Sequence, residues 1–416
     1  MKTGKNLKII LKEELEKITP SKEEFKEIEE KTKKFAELLK KSGLKVEIGG
    51  SLAKGTLLKK SPQDIDLFVV FKEEREVQIL ENKLEKLKIS FKKIHGSRDY
   101  FKINKNIGER EIIFELIPVL DFNLKNKFEK RNVTDFSLLH VKYIAGKIKK
   151  KKSLAQEVML AKSFCHAQGI YGAESYIKGF SGYSLEVLVC YYGSFLKFLK
   201  EFGKKKIINH EKMWKNEKEI FREMNSNKTS GPIILIDPTN KYRNVLSCLS
   251  QESFEKFLNL SKKFLKNPSQ DFFQEKNIEE KELKKKAEKS KLKLVKLSFS
   301  TEKQEGDIAG TKMKKYLSFI VDELKRKGQK IKREEFDYKF GKKAIGYLIV
   351  KENKEREIKG PPIQNRKACE EFKKVRKKVL NKKGFLYAKE EISIEKVLNF
   401  CKKFEKEMGV VFSYYL

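Results

Sequence analysis

Apolar and polar positions in the first part of the chain follow two patterns, one typical of helices and one typical of strands. Ser21-Lys22-Glu23-Glu24 fits a helix capping box. The helix that follows is expected to have an apolar side made of residues at helical spacing, namely Phe25, Ile28, Thr32, Phe35 and Leu38. Strands are predicted at about residues 45–48, 64–71, 88–94, 99–103 and 110–120. Residues 1–135 therefore predict an α/β section with a mixed sheet.

The rest of the chain divides into three further sections. Residues 136–265 have mostly helical spacing, and Asp135 is expected to cap the first of these helices. Residues 266–360 predict a β-α-β-β module, with strands at 292–298, 335–340 and 344–351 and a helix at 313–326. Gly360-Pro361-Pro362 is interpreted as a break, after which residues 361–416 carry a basic stretch, a short strand and a last helix. The predicted fold class is α+β, multidomain.

The net charge of the chain indicates what kind of partner it binds. The chain has 416 residues and a formal net charge of +36, which indicates a polyanionic partner. No uncharged apolar stretch reaches the ~18 residues of a membrane span, so no membrane is expected. Five scattered cysteines form no CxxC pair, which argues against a zinc site and a disulfide framework. A cytoplasmic location is the simplest interpretation.

The segment Gly49–Phe71, GGSLAKGTLLKKSPQDIDLFVVF, carries the strongest candidate chemistry. Asp64 and Asp66 lie two apart on a predicted strand and therefore project from the same face. Two adjacent carboxylates repel each other unless a cation or a proton lies between them, and hard oxygen ligands suit Mg²⁺. Upstream, backbone N–H groups, hydroxyls and a cation that suit a triphosphate come from Gly50, Ser51, Lys54 and Thr56.

A third carboxylate is expected on a neighbouring strand. Glu115 lies in the middle of the apolar run EIIFELIPV, where an unpartnered carboxylate would be costly and a metal would be a partner. Asp121 is the other candidate, but it lies past Pro118, nearer the end of the strand. Glu115 is the preferred choice.

These motifs resemble a known family. A GS turn, a spacer, the Asp-Ile-Asp triplet and a later carboxylate are similar to the signature of the DNA polymerase β nucleotidyltransferase superfamily. GIYGAESYIKGFSGYSLEVLVCYYGSF, from residue 169, and ILIDPTNKYRNV, from residue 234, resemble archaeal-type (class I) CCA-adding enzymes. The resemblance extends over about residues 5–390. It implies a catalytic head (1–135), a neck that closes the nucleotide pocket (136–265), a ferredoxin-like RNA-binding body (266–360) and a shortened tail (361–416).

The resemblance also implies roles for individual residues. Two Mg²⁺ ions would be held by Asp64, Asp66 and Glu115, although family members usually have Asp at the third position. Ser51 and Lys54 match triphosphate contacts. Arg243 matches the arginine that recognises the base, and Asp237 could orient it. Triphosphate and sugar contacts in the neck match His140, Lys162 and Tyr171.

The function implied is addition of C, C and A to the 3′ end of tRNA from CTP and ATP, without a template and with release of pyrophosphate. The expected partners are tRNA, gripped at its acceptor stem and T-arm, and the two nucleotides; a homodimer is one expected assembly. Two alternatives stay open. One is a related template-independent enzyme, such as a poly(A) polymerase or an oligoadenylate synthase, and the other is a non-catalytic RNA-binding protein on the same scaffold.

Overall fold

The computed structural model describes residues 2–96, 98–107, 110–121, 132–275, 278–339, 341–376 and 378–416. The chain divides into two compact units. The first comprises residues 1–173 and 177–276, and the second comprises residues 174–176 and 277–416. Residue 340 of the predicted strand 335–340 and residue 377 of the basic stretch lie outside the described residues.

The first unit contains eleven α-helices and eight strands within the described residues. The helices are α1 (Lys2–Ile18), α2 (Lys22–Lys41), α3 (Gly50–Lys54), α4 (Gln78–Lys86), α5 (Ser137–Lys150), α6 (Ser153–Ala167), α7 (Gly182–Tyr192), α8 (Phe195–Glu201), α9 (Glu217–Glu223), α10 (Ser226–Thr229) and α11 (Gln251–Lys266). The strands are β1 (Lys45–Ile48), β2 (Gln63–Phe71), β3 (Lys92–Ile94), β4 (Tyr100–Ile107), β5 (Arg110–Leu120), β6 (Ile207–Ile208), β7 (Ile234–Asp237) and β8 (Asn240–Asn244).

The five-stranded sheet of the head has the order β1-β2-β5-β4-β3. β2 pairs with β5 in parallel, while the other neighbours are antiparallel, so the predicted mixed sheet is confirmed. β2 and β5 lie in the interior of the sheet, which explains their continuous apolar runs. The structure differs at residues 88–94, where only Lys92–Ile94 forms a strand.

The capping box at the start of α2 is confirmed. The Ser21 hydroxyl accepts from the Glu24 N–H, and the Glu24 side chain accepts from the Ser21 N–H. The predicted apolar side is wrong at one position, because Leu38 is 46% exposed whereas Leu39 is fully buried. Leu39 lies four residues after Phe35, so it continues the buried side of the helix toward the sheet.

Asp135 does not cap α5, contrary to the prediction. It lies in the 3₁₀ turn Val133–Phe136, where its buried carboxylate accepts from the Leu120 N–H and from the Arg98 guanidinium. The helices of the neck, α5 to α8 and α11, enclose a core rich in phenylalanine. Asp135 therefore joins the end of β5 to the beginning of this helical part.

The second unit contains five α-helices and seven strands within the described residues. The helices are α12 (Glu280–Lys289), α13 (Gly306–Arg326), α14 (Arg366–Val375), α15 (Ile394–Lys402) and α16 (Glu405–Met408). The strands are β9 (Lys293–Ser300), β10 (Lys330–Tyr338), β11 (Lys343–Lys351), β12 (Glu355–Pro362), β13 (Val379–Lys382), β14 (Phe385–Glu391) and β15 (Val411–Tyr415).

The larger sheet of this unit has the order β10-β11-β9-β15, with every neighbouring pair antiparallel. With α13 and α15 packed in its core, it forms a ferredoxin-like β-α-β-β-α-β arrangement. The predicted β-α-β-β order and ferredoxin-like body are confirmed. The structure differs from the predicted limits, because α15 and β15, assigned to the tail at 361–416, complete this body.

The other sheet of the second unit has the order β12-β14-β13 and interrupts the body between β11 and α15. Gly360-Pro361-Pro362 was interpreted as a break, but β12 runs to Pro362. The pairing of β12 with β14 shifts between Lys359 and Pro362, which accommodates two prolines at a sheet edge. Among the described residues, no helix is long and apolar enough to cross a bilayer.

Candidate active site

Three carboxylates lie on the same face of the head sheet. Asp64 and Asp66 alternate with buried Gln63, Ile65 and Leu67 along β2, as their spacing predicts. In the parallel register Asp66 lies opposite Glu115. The three carboxylates are therefore neighbours on two adjacent strands.

The glycines of the preceding turn allow a helix to approach these carboxylates. The Gly49 N–H donates to the Asp66 carbonyl at 2.9 Å, which fixes the turn against β2. At Gly50 the backbone has a φ of +58°, and any Cβ there would overlap the Asp66 carboxylate. Only glycine fits both conditions. α3, which carries Ser51 and Lys54, consequently begins directly beside Asp66.

Asp66 titrates unusually in this setting. Burial, together with the charges of Glu115 and Asp64, raises the pKa of the Asp66 carboxyl to about 6. Lys54 and Lys162 oppose this rise. Burial and the neighbouring carboxylates therefore disfavour the ionised form of Asp66, so binding of a proton or a further cation lowers the energy of this cluster.

Asp64 and Glu115 each contact a lysine. Lys60 pairs with Asp64, and the Lys102 ammonium lies 2.7 Å from a Glu115 carboxylate oxygen, directly across the β4–β5 pair. Within the described ranges, no three His, Cys, Asp or Glu side chains are already arranged around one point that could hold a metal ion. The donor set is entirely oxygen and suits a hard divalent cation, but such an ion would take the place of two lysines.

Asp121, the alternative third carboxylate, lies elsewhere. It follows the last residue of β5, and its carboxylate pairs with the Lys45 ammonium at 3.0 Å. Glu115 lies six positions earlier, opposite Asp66. The geometry therefore favours Glu115, the preferred candidate from the sequence.

Two predicted phosphate ligands meet at a carboxylate that the sequence analysis did not select. Lys54 and Lys162 lie 2.7 and 2.8 Å from the two oxygens of Glu186, which is completely buried on α7. Thr56 completes the cluster by accepting from Lys162 at 3.0 Å. Burial would raise the pKa of Glu186, but the ammonium groups of Lys162 and Lys54 lower it to about 2.

His140 and Arg243 meet at a second buried carboxylate, Asp237. The Arg243 guanidinium donates to one Asp237 oxygen at 2.7 Å, and His140 Nε2 lies 3.2 Å from the same oxygen. The Tyr183 hydroxyl donates to the other oxygen at 2.9 Å, and its ring stacks on His140. Burial lowers the pKa of His140 although Asp237 opposes this, so the imidazole is neutral near pH 7. Asp237 thus orients Arg243, as the sequence suggested.

Tyr171 lies on the neck beside the lysine cluster. Its ring stacks on His166 at a centroid distance of 4.3 Å. A Cβ at Gly182 would meet the Tyr171 hydroxyl at 2.9 Å and the Lys162 side chain at 3.8 Å, so these two groups flank the beginning of α7. Ser51 lies on α3, three residues before Lys54.

One of the functional residues that the sequence did not reveal carried a detectable signal. Glu186 is an acidic residue within the apolar helix GYSLEVLVCYY, the same kind of anomaly that singled out Glu115. Tyr183 lies in the same motif, but an aromatic residue near a helix start is ordinary packing in most proteins. Lys102 gave no signal, because its role depends on its position across from Glu115 in an antiparallel pair.

Comparisons with known proteins agree with this geometry. A family model described as a nucleotidyltransferase domain matches residues 28–136, and one described as the second domain of tRNA nucleotidyltransferase matches residues 156–274. Nucleotidyltransferases of this family generally use divalent metal ions. A solved structure of Cid1 with its short product ApU has a TM-score of 0.50 and 16% identity, covering 65% of this chain and 99% of its own. At that identity the likeness concerns the fold alone.

Curated relatives are more similar. A CCA-adding enzyme of Nanoarchaeum equitans is 31% identical over 360 residues, 84% of this chain and 86% of its own length. One from Methanocaldococcus jannaschii is 34% identical over 65% of this chain and 63% of its own, and one from Saccharolobus shibatae is 31% identical over 78% and 74%. Because similarity at this level spans most of both sequences, the chain belongs to the family of CCA-adding enzymes, which are tRNA nucleotidyltransferases.

Proposed function

We propose that this protein adds C, C and A to the 3′ end of tRNA, using CTP and ATP and no nucleic-acid template. The observation that carries the proposal is the set of three neighbouring acidic positions near the lysine pair of Glu186, in a chain that also holds Arg243 against Asp237. The carboxylates and lysines suit metal and phosphates, and the arginine suits a base edge. In the reaction the RNA 3′-hydroxyl loses its proton to solvent and its oxygen bonds to the α-phosphorus of the nucleotide, while the bond from that phosphorus to the oxygen bridging to the β-phosphorus breaks and pyrophosphate leaves.

Asp64, Asp66 and Glu115 are the residues proposed to hold Mg²⁺. Bound Mg²⁺ would supply activation of the 3′-hydroxyl and stabilisation of the leaving pyrophosphate. Lys54, Lys162 and Ser51 are proposed to bind the triphosphate. His140 and Tyr171 are proposed to contact the nucleotide from the neck. No protein nucleophile is required.

Arg243 is proposed to recognise the base. A guanidinium can donate two parallel hydrogen bonds to a base edge, and Asp237 restrains this one from behind. The growing RNA 3′ end would complete the pocket.

The proposed partner is the acceptor stem and T-arm of tRNA, in keeping with the net charge of +36. A homodimer and a cytoplasmic location are part of the same proposal. All five cysteines lie among the described residues and are free thiols, a state that suits a reducing compartment.

The test is an extension assay with purified protein, Mg²⁺ and each nucleotide separately. The RNAs are tRNAs that lack CCA, end in C or end in CC. We expect C on the first two and A on the third. A run of A on any end would favour a poly(A) polymerase, and RNA binding without extension would favour the non-catalytic alternative. A minihelix of the acceptor stem and T-arm is expected to be a substrate; failure to extend it, with full tRNA active, would mean that additional contacts or a different RNA are required.

A further inference from the structure

The cluster around Glu186 has an unusual charge balance for a buried site. Lys54 and Lys162 supply two positive charges, and Glu186 supplies one negative charge, so the trio carries a net charge of +1. Lys162 is 4% exposed, and Glu186 is 0% exposed. Burying a charge is costly unless it is paired, and within the protein the remaining positive charge is offset by the nearby carboxylate of Asp66, on which both lysines act.

The hydrogen-bond partners of the two lysines leave donors for a further anion. An ammonium group has three N–H donors. Lys162 uses them on Glu186 and Thr56, which leaves a further donor, and Lys54 contacts Glu186 at the end of α3. Both lysines also act electrostatically on Asp66, so their ammonium groups lie near the three carboxylates as well as on Glu186 of α7.

We propose that Glu186 is a positioning residue for the nucleotide triphosphate: it holds the ammonium groups of Lys54 and Lys162 side by side, charged and directed at the phosphates. This rests on the proposed function, which assigns both lysines to the triphosphate. Lys54 comes from the head and Lys162 from the neck. One carboxylate therefore couples the two parts of the nucleotide site.

The physical reason is mutual repulsion. Without a carboxylate behind them, two buried ammonium groups repel each other, and the more buried one is stabilised by losing its proton. Burial and the charge of Lys54 already lower the pKa of Lys162, and Glu186 is the first of the groups that oppose this. Removing the Glu186 charge therefore removes positive charge from the phosphate site, although neither lysine has been changed.

The variant that isolates the charge is Glu186→Gln, which keeps size and shape. Its binding to CTP, CDP, CMP and inorganic tripolyphosphate is measured by calorimetry with Mg²⁺. We expect the loss to grow with the number of phosphates, from little for CMP to about tenfold or more for CTP and tripolyphosphate, about 1.4 kcal/mol. An equal loss for all four compounds, or a wild-type protein that does not bind tripolyphosphate, would overturn the proposal.

A double-mutant cycle separates positioning from simple support of the fold. If Lys162 depends on Glu186, Lys162→Met weakens CTP binding strongly in the wild type and little further in Glu186→Gln. Additive losses would mean that Glu186 only stabilises the helices. The matched control is Glu14→Gln, because Glu14 is another buried carboxylate and contacts α6 through Ser163 at 2.5 Å. This control is expected to leave tripolyphosphate binding unchanged.

A second variant covers the case in which Glu186→Gln does not fold. Glu186→Asp retains the charge but withdraws it by one methylene, and we expect a smaller loss that still grows with phosphate number. Loss of CMP binding to the same extent as CTP binding in this variant would also overturn the proposal. Failure of the proposed function is a separate result, since tripolyphosphate binding is measured without tRNA: the wild type would bind the probe but not extend tRNA.

Discussion

Asp66, which is half-buried, and Glu186, which is fully buried, are two carboxylates that interact with the same two lysines, yet their pKa values move in opposite directions. The pKa of Asp66 is raised to about 6, whereas that of Glu186 is lowered to about 2. Asp66 lies on the same sheet face as the carboxylates of Asp64 and Glu115, and their charges add to the effect of burial on its pKa. Glu186 lies on an apolar helix with two ammonium groups as its partners.

The difference separates the carboxylate cluster from its support. Asp66 lies among like charges, so its ionised form is stabilised by a further cation. Glu186 lies between two ammonium groups and keeps them close together. A nucleotide triphosphate with its metal ion brings a cation to the first site and an anion to the second.

The largest expected effect lies on the Asp66 side of the comparison. Asp64→Ala and Asp66→Ala should each lower incorporation of both C and A by at least about 10³-fold. Residues that act together in catalysis cannot compensate for the loss of one of them. Binding of tRNA should be largely retained. Single-turnover extension and filter binding give the two quantities, and substantial residual turnover in either variant would remove these residues from the metal site.

The third carboxylate is tested in the same assay. Glu115→Gln should be similarly damaging, while Glu115→Asp should retain activity because it keeps the charge at the position opposite Asp66. Asp121→Asn is the matched control, since that carboxylate pairs with Lys45 outside this cluster. Loss of activity in the control, with Glu115→Gln active, would mean that Asp121 is the third ligand.

The comparison predicts stability changes of opposite sign. Glu186→Gln should destabilise the protein by about 3–5 kcal/mol, because breaking a buried ion pair leaves charge without compensation. Asp66→Asn should stabilise the metal-free protein at pH 7 by about 1–3 kcal/mol, because it removes a carboxylate that folding forces close to others. Urea unfolding in the presence of a chelator measures both changes. Stability changes of the same sign in the two variants would contradict this comparison between Asp66 and Glu186.

The pH dependence follows from the same two groups. The pKa of the Asp66 carboxyl rises from 3.8 to about 6 on folding, so the folded protein binds this proton more tightly than the unfolded chain. The destabilisation caused by ionised Asp66 is therefore absent below about pH 4 and complete above about pH 6. Glu186 does the reverse: its stabilisation is complete above pH 4.5 and is lost as the pH falls toward about 2. The gain in Asp66→Asn should therefore disappear at pH 4.

Much of the carboxylate cluster formed by Asp64, Asp66 and Glu115 could be predicted from sequence. The Asp-Ile-Asp triplet and the apolar run around Glu115 have strict strand spacing, and the parallel pairing of two buried strands places their carboxylates together. The β-α-β-β order of the second unit could be predicted for the same reason. Periodicity within one element and short-range turn signals were sufficient.

The support could not be predicted, because it depends on residues distant in sequence. Glu186 is separated from Lys54 by 132 residues and comes into contact with it only when α7 packs near α3. The position of β15 beside β9 depends likewise on a pairing over more than a hundred residues, so the end of the chain looked like a separate tail. Spacing along one element carries no information about either contact.

The smallest expected effect concerns selectivity, and it compares Arg243 with Lys162. Arg243→Ala should lower efficiency for both CTP and ATP and relax the rejection of UTP, by about 1–3 kcal/mol in discrimination, because a base edge loses its donor. Lys162→Ala should weaken all nucleotides alike, since its partner is the phosphate chain. Single-turnover rates with CTP, ATP and UTP distinguish the two. A uniform loss for Arg243→Ala, with selectivity unchanged, would assign Arg243 to the phosphates or to the fold, and Asp237 would then be a second support like Glu186.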